Sequence, residues 1–151
     1  MYQGIKIVSF EEAVKVVKSG DRIHLHSVAC APQGLIQALC ARGRAGELKN
    51  IKLQHLHTEG CAPYAEQEFE GIFQLESFFV GKNVRKPTQE GWADYIPVHL
   101  SETQKLIRMG ITPVDVAMIQ VCPPDKHGYV SMGTSVDATL AAVQHAKTVI
   151  A

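Results

Sequence analysis

The chain has 151 residues, 46% of them hydrophobic, which is enough to bury one core and reads as a single globular domain over residues 1–151. Fifteen Lys and Arg balance fifteen Asp and Glu, so there is no basic field to gather the phosphates of a nucleic acid or an anionic membrane, and the expected partner is a small molecule or another protein. No run of about 18 apolar residues is present, residues 1–10 lack the order of a secretory signal, and the four cysteines form no C-x-x-C pair; a cytoplasmic protein with reduced thiols is expected.

In chain order, strand-length apolar runs alternate with segments of helical period. Ser9 with Glu12 is a capping box that opens a helix through Lys18, stopped at Gly20 and Asp21. Residues 22–27 read as a strand, Leu35, Ile36 and Leu39 mark a helix from Pro32 to about Gly43, and residues 50–57 read as the next strand. A strand, a crossover helix and a strand in this order place the two strands parallel in one sheet. A short helix is expected over 63–70, a strand within 72–80, a loop with a short helix around Pro87, a strand over 95–98, a helix over 101–109 and a strand over 114–121. Residues 123–137, PPDKHGYVSMGTSVD, read as a loop with a brief hairpin, 136–146 as a helix, and KTVIA as the start of a strand. The fold class is therefore α/β, an open, mostly parallel sheet with helices on both faces. A chain that stops inside a strand reads as the front part of something longer.

One stretch repeats. HLHSVACAP at 24–32 returns as HLHTEGCAP at 55–63. His24 and His26 share a face of their strand, as do His55 and His57, so four imidazoles would converge on a metal if the strands are neighbours. Burial of a parallel sheet on both faces argues against such a cluster, and H-x-H-x3-C matches no zinc signature. The histidines are read as structural, with no metal. Cys30 and Cys61 have no base placed near them by sequence, Cys40 and Cys122 read as core, and no catalytic residue is assigned.

Open α/β sheets bind ligands outside the carboxyl ends of their strands. The segments falling there give the candidate substrate-binding residues: Ser27, Val28 and Ala29; Thr58, Glu59 and Gly60; and Ser131, Met132, Gly133, Thr134 and Ser135. Residues 27–34 and 58–63 contain no Lys or Arg, which argues against a sugar-phosphate site. The helix start after Pro32 could cradle an anion on backbone N–H groups, but the loop lacks the glycines of a phosphate cradle. In 123–137, two readings stand side by side: Asp125 closing a turn with Ser135 capping the next helix, or hydroxyls presented to a ligand.

Three segments, GDRIHLHSVACAPQGLIQAL, TEGCAPY and VCPPDKHGYVSMGTSVDATLAAV, resemble the N-terminal domain of the acetyl-CoA hydrolase/transferase family, and the resemblance covers essentially the whole chain. It implies a class I coenzyme A-transferase fold and a ping-pong reaction. In that reaction a glutamate takes the acyl group from acyl-CoA, then carries CoA as a thioester that a second acid resolves. The glutamate and its glycine-rich loop belong to the family's C-terminal domain and map onto no residue here; Glu59 does not match that glutamate. The first loop departs from the family pattern, with SVACAP where a glycine is expected. The implied substrates are acyl-CoA and a short-chain carboxylate, with no permanently bound cofactor. The implied partners are the missing C-terminal domain and a second copy in a dimer, with neither nucleic acid nor membrane. A non-catalytic small-molecule-binding or regulatory domain of the same fold, and a structural half of a split enzyme, are the alternatives.

Overall fold

The computed structural model describes residues 6–151. Six strands, β1 (Arg22–Leu25), β2 (Ile51–His55), β3 (Phe73–Ser77), β4 (Ala93–Tyr95), β5 (Val116–Met118) and β6 (Thr148–Ile150), form one parallel sheet in the order β4-β3-β2-β1-β5-β6. The chain winds outward from β1 to β4, crosses back, and continues with β5 on the other side of β1. The order therefore reverses between β1 and β5, the kind of position where open sheets form a ligand crevice.

Among the described residues there are five α-helices: α1 (Phe10–Ala13), α2 (Gln33–Arg44), α3 (Arg85–Glu90), α4 (Thr103–Arg108) and α5 (Thr139–His145). One face of α2, Leu35, Ile36, Leu39 and Cys40, packs on the side of the sheet that carries Ile23, Leu25, Leu53 and Leu75. Gly43 lets this helix approach closely, since a Cβ there would lie 2.9 Å from the Phe73 ring. On the other face α4 and α5 bury Ile107, Ala138, Ala141 and Ala142 against Ala117 and Ile119. Helices lie on both faces, as the alternating pattern requires. Among the described residues, no helix is long and apolar enough to cross a membrane.

Several boundaries differ from expectation. The first helix is capped by Ser9, whose Oγ accepts the Glu12 N–H at 3.3 Å, but it passes into a 3-10 turn at Val14–Val16 and stops before Lys18. Val14, Val16 and Val17 are β-branched and favour helix less than extended backbone. Residues 63–70 form two 3-10 turns rather than an α-helix. The strand expected at 95–98 is Ala93–Tyr95; Ile96 N–H still donates to Ser77 O at 2.9 Å, and Pro97, lacking an N–H, ends the ladder. The final helix starts at Thr139, because Asp137 has φ 21°, outside the helical region. Residues 122–131 close a turn through Cys122 N–H to Ser131 O and Asp125 N–H to Tyr129 O, with no assigned strand.

Candidate functional site

The carboxyl ends of β1 and β2 continue past the ladder. Val28 N–H donates to His57 O at 2.8 Å, Glu59 N–H donates back to Val28 O at 3.2 Å, and Val28 and Thr58 form an isolated parallel bridge. Ser27 Oγ accepts the Leu56 N–H at 3.0 Å. The segments 27–29 and 58–60 are thus joined side by side. Val28 reaches this position with φ 58°, a left-handed conformation that costs a β-branched residue about 1–2 kcal/mol. The glycine expected in this loop is absent, yet the backbone takes a conformation that glycine adopts freely.

The third segment is held against the first by His26. Its Nδ1 accepts the Gln120 N–H at 3.1 Å, which leaves Nε2 to carry the proton and donate to Ser135 O at 2.9 Å. Cys30 Sγ lies 3.8 Å from Thr134 Oγ1, and a Cβ on Gly133 would stand 3.1 Å from that sulfur. Burial raises the Cys30 pKa, but hydrogen bonds from Thr134 and Ser135 outweigh it and leave the thiol below its ordinary value. All three predicted segments therefore stand on one edge of the sheet, at the carboxyl ends of β1, β2 and β5.

Their side chains differ in what they present. Ser27 and Thr58 are buried, Val28, Met132 and Ser135 are half-buried, and Ala29, Glu59, Gly60, Ser131, Gly133 and Thr134 are exposed. Glu59 Oε1 sits 3.7 Å from His57 Nε2, with its side chain 69% exposed. Asp125 does close a turn, its Oδ1 accepting from His127 N–H at 2.8 Å and Tyr129 N–H at 2.9 Å. Ser135 does not cap the last helix: Asp137 Oδ1 takes the Thr139 N–H at 3.3 Å instead.

Four imidazoles do not converge. The β1–β2 ladder pairs His24 with Gln54, not with His55. Side chains at paired positions share a face, so His24 and His26 point toward α5 while His55 points toward α2. His24 Nε2 meets Thr139 Oγ1 at 3.1 Å. His55 Nε2 donates to Ser77 Oγ at 3.1 Å, because that hydroxyl is itself committed to Phe79 O at 2.7 Å, and its Nδ1 accepts from Tyr64 Oη at 3.2 Å. Burial, with the neighbouring imidazoles adding to it, depresses both His24 and His55 to about 3, and burial raises the Tyr64 phenol. No group of three or more metal-ligating side chains occurs among the described residues.

Sequence reasoning missed Asn83, which donates from Nδ2 to Thr58 O at 3.0 Å and Gly60 O at 2.6 Å and so ties down the second segment. An asparagine inside a polar loop carries no signal of this role. Two open clefts flank the edge: one of about 400 Å³ beside the β1–β5 switch, bounded by Phe10, Gly34, Ile119 and Pro123, and an apolar one of about 260 Å³ between His57, Phe79, Tyr95 and Leu100.

A family model described as the acetyl-CoA hydrolase/transferase N-terminal domain matches residues 2–151. A succinyl-CoA:acetate/propanoyl-CoA:succinate CoA transferase from Fasciola hepatica is 45% identical over 141 residues, covering 93% of this chain and 29% of the relative. A 4-hydroxybutyrate coenzyme A transferase from Clostridium kluyveri is 34% identical, covering 97% of this chain and 34% of the relative. The 4-hydroxybutyrate CoA-transferase of Porphyromonas gingivalis superposes with a TM-score of 0.70 at 29% identity, over 94% of this chain and 31% of that one. RipA from Yersinia pestis superposes with a TM-score of 0.86 at 24% identity, over 95% of this chain and 35% of that one, a likeness of fold. The chain spans about a third of the length of these proteins.

Proposed function

This chain belongs to the acetyl-CoA hydrolase/transferase family, whose N-terminal domain it forms, and we propose that in the whole protein it is one wall of the cleft in which coenzyme A passes between short-chain carboxylic acids. The observation that carries this reading is the joining of 27–29 to 58–60 through Val28 and Thr58, with 131–135 drawn to the same edge by His26. Those eleven residues include no cation and one carboxylate, the exposed Glu59. Such a surface offers hydroxyls, backbone donors and small apolar groups, which suit an acyl chain rather than a phosphate.

The reacting carboxylate then comes from the rest of the protein, a glutamate outside residues 1–151. Its attack on the thioester carbonyl expels the CoA thiolate and leaves an acyl-glutamyl anhydride. The thiolate returns to the glutamyl carbonyl, releases the first acid and forms a glutamyl-CoA thioester. A second carboxylate reverses these steps and leaves as the new acyl-CoA. This wall orients the acyl group and excludes water, whose attack on either intermediate converts transfer into hydrolysis. The working form is a cytoplasmic dimer that takes CoA as a substrate and holds no permanent cofactor.

The test compares the 151-residue chain with the full-length protein, using acetyl-CoA, a labelled short-chain acid, and hydroxylamine or borohydride to trap the enzyme-bound intermediate. Full-length protein exchanges label and yields a trapped glutamate beyond residue 151; the chain alone yields neither. Turnover by the chain, or a trapped glutamate within it, overturns the reading. Acyl-CoA binding without turnover by the full-length protein favours a regulatory domain instead.

A further inference from the structure

Lys82, Arg85 and Lys86 put three cations within five residues of a chain whose net charge is zero. All three are exposed, and among the described residues none of their side chains makes an ion pair or a hydrogen bond. Most of the other basic side chains lie against carboxylates, as Arg42 does on Glu47 at 2.8 Å and Arg44 on Glu68 at 2.6 Å. Here Glu90, one turn further along α3, leaves Lys86 unpaired, and Glu59 lies against His57 at 3.7 Å.

The cluster stands on fixed backbone. Past the carboxyl end of β3 the chain makes a 3-10 turn over Lys82–Val84 and runs on into α3 (Arg85–Glu90). Val84 and Pro87, three residues apart, are buried on the inner side of this turn and leave positions 82, 85 and 86 outside. The residues on either side of Lys82 touch the second wall segment. Asn83 Nδ2 donates to Thr58 O and Gly60 O at 3.0 and 2.6 Å, and a Cβ on Gly81 would stand 3.8 Å from His57 Cβ. Residues three and four apart on a helical turn are neighbours, so Lys82 repels both Arg85 and Lys86, and a bound polyanion would turn that repulsion into attraction.

The three wall segments carry no cation, yet the far end of an acyl-CoA carries a diphosphate and a 3′-phosphate. A planar guanidinium between two ammonium groups matches such clustered phosphates. We propose that Lys82, Arg85 and Lys86 form a subsite for the phosphate-bearing nucleotide end of CoA, beside segment 58–60 and apart from the acyl-facing surface. This rests on the transferase reading above and gives its substrate a second point of attachment on this domain.

The experiment uses the full-length protein as wild type, as the triple variant Lys82→Gln/Arg85→Gln/Lys86→Gln, and as a control, Lys18→Gln/Lys49→Gln, whose exposed lysines precede β1 and β2 at the opposite edge of the sheet. Calorimetry with 3′-phosphoadenosine 5′-diphosphate, the nucleotide end of CoA without its pantetheine arm, reads the subsite without turnover. Its Kd rises about tenfold in the triple variant, as expected for three exposed ionic contacts, stays unchanged in the control, and the difference shrinks in high salt. In kinetics kcat/KM for acetyl-CoA falls by a similar factor through KM, whereas kcat/KM for S-acetylpantetheine, which lacks these phosphates, does not. No binding by wild type, an unchanged Kd in the triple variant, or an equal loss in the control overturns the subsite. A parallel loss with S-acetylpantetheine assigns the cluster to packing and also overturns it. Nucleotide binding that the triple variant weakens, in a protein that transfers no CoA, supports the subsite and overturns the transferase reading.

Discussion

His24 and His55, at matching places in the repeated nine-residue segment, stand on opposite faces of the sheet. The repeat aligns His24 with His55, but the ladder aligns His24 with Gln54. A register one residue away from the repeat sends every matched side chain to the other side. Each histidine then meets a different layer, His24 meeting Thr139 of α5 and His55 meeting Tyr64 and Ser77. The rhyme in the sequence therefore records two similar strand ends, and its histidines fasten two different helical layers to one sheet.

Those two histidines set an acid limit on stability. Both are fully buried and hold pKa values of about 3 in the folded chain, against an ordinary value near 6.5. Below about pH 6.5 the unfolded chain binds protons that the folded chain refuses, so stability falls as pH drops toward 3 and is unaffected by these groups above 7. Each contributes a slope approaching 1.4 kcal/mol per pH unit in the middle of that window. Urea denaturation at pH 4, 5, 6 and 7 measures it, and His24→Asn should reduce the slope by about one proton. An unaltered slope in that variant would mean that His24 is charged when folded.

Two glycines of α2 should respond oppositely to alanine. A Cβ on Gly34 would fall 2.5 Å from the Phe10 ring, and one on Gly43 would fall 2.9 Å from Phe73 and 3.1 Å from Phe69. Phe10 is 54% exposed and can swing aside, whereas Phe73 and Phe69 are buried. Gly34→Ala is expected to be neutral or stabilising by up to about 1 kcal/mol, the helix-propensity gain. Gly43→Ala should cost about 1–3 kcal/mol through overpacking. Thermal unfolding of both variants checks the contrast, and equal effects would contradict it.

His26 should matter more to one loop than to the fold. Removing its ring leaves the Gln120 N–H and the Ser135 carbonyl without the partners they have at 3.1 and 2.9 Å. His26→Ala is expected to cost about 2–4 kcal/mol, combining a buried cavity with unmade hydrogen bonds. The specific readout is amide exchange: Gln120 should lose protection while Ile23 and Leu53, in the sheet centre, keep theirs relative to global stability. Uniform loss across all three would reduce His26 to an ordinary core residue.

Much of this arrangement was legible because it depends on pattern. The alternation of apolar runs with helical periods gave parallel β1 and β2, helices on both faces, and strand-end segments that meet at one edge. What stayed hidden depends on single contacts or single residues. Register differed from the repeat by one position, and periodicity is blind to that choice when both neighbouring residues, Gln54 and His55, are buried. Pro97 shifted β4 toward the start of its segment, and the positive φ of Asp137 moved the start of α5. The Val28 backbone was hidden too, since no local rule places a valine at φ 58°; its reciprocal hydrogen bonds with His57 and Glu59 are contacts between segments that a sequence pattern does not show.

Asn83 offers the sharpest electrostatic test of how the second segment is fixed. Its Nδ2 faces two carbonyl oxygens, Thr58 O at 3.0 Å and Gly60 O at 2.6 Å, and both need a donor. Alanine removes the donor and lets water take its place, a modest loss of about 0.5–1.5 kcal/mol for a partly exposed bond. Aspartate has the same shape but sets a carboxylate against two carbonyl dipoles, so it must turn away or be repelled. Asn83→Asp should therefore loosen residues 58–60 more than Asn83→Ala does, despite being the smaller change in volume. Amide exchange at Glu59, whose N–H is bonded to Val28 O at 3.2 Å, ranks the variants, with wild type most protected, alanine intermediate and aspartate least. On the transferase reading proposed above, the same ranking is expected in the full-length protein's KM for acyl-CoA, with kcat less affected. If aspartate protects the loop as well as asparagine does, the two carbonyls are held by something other than the Asn83 amide.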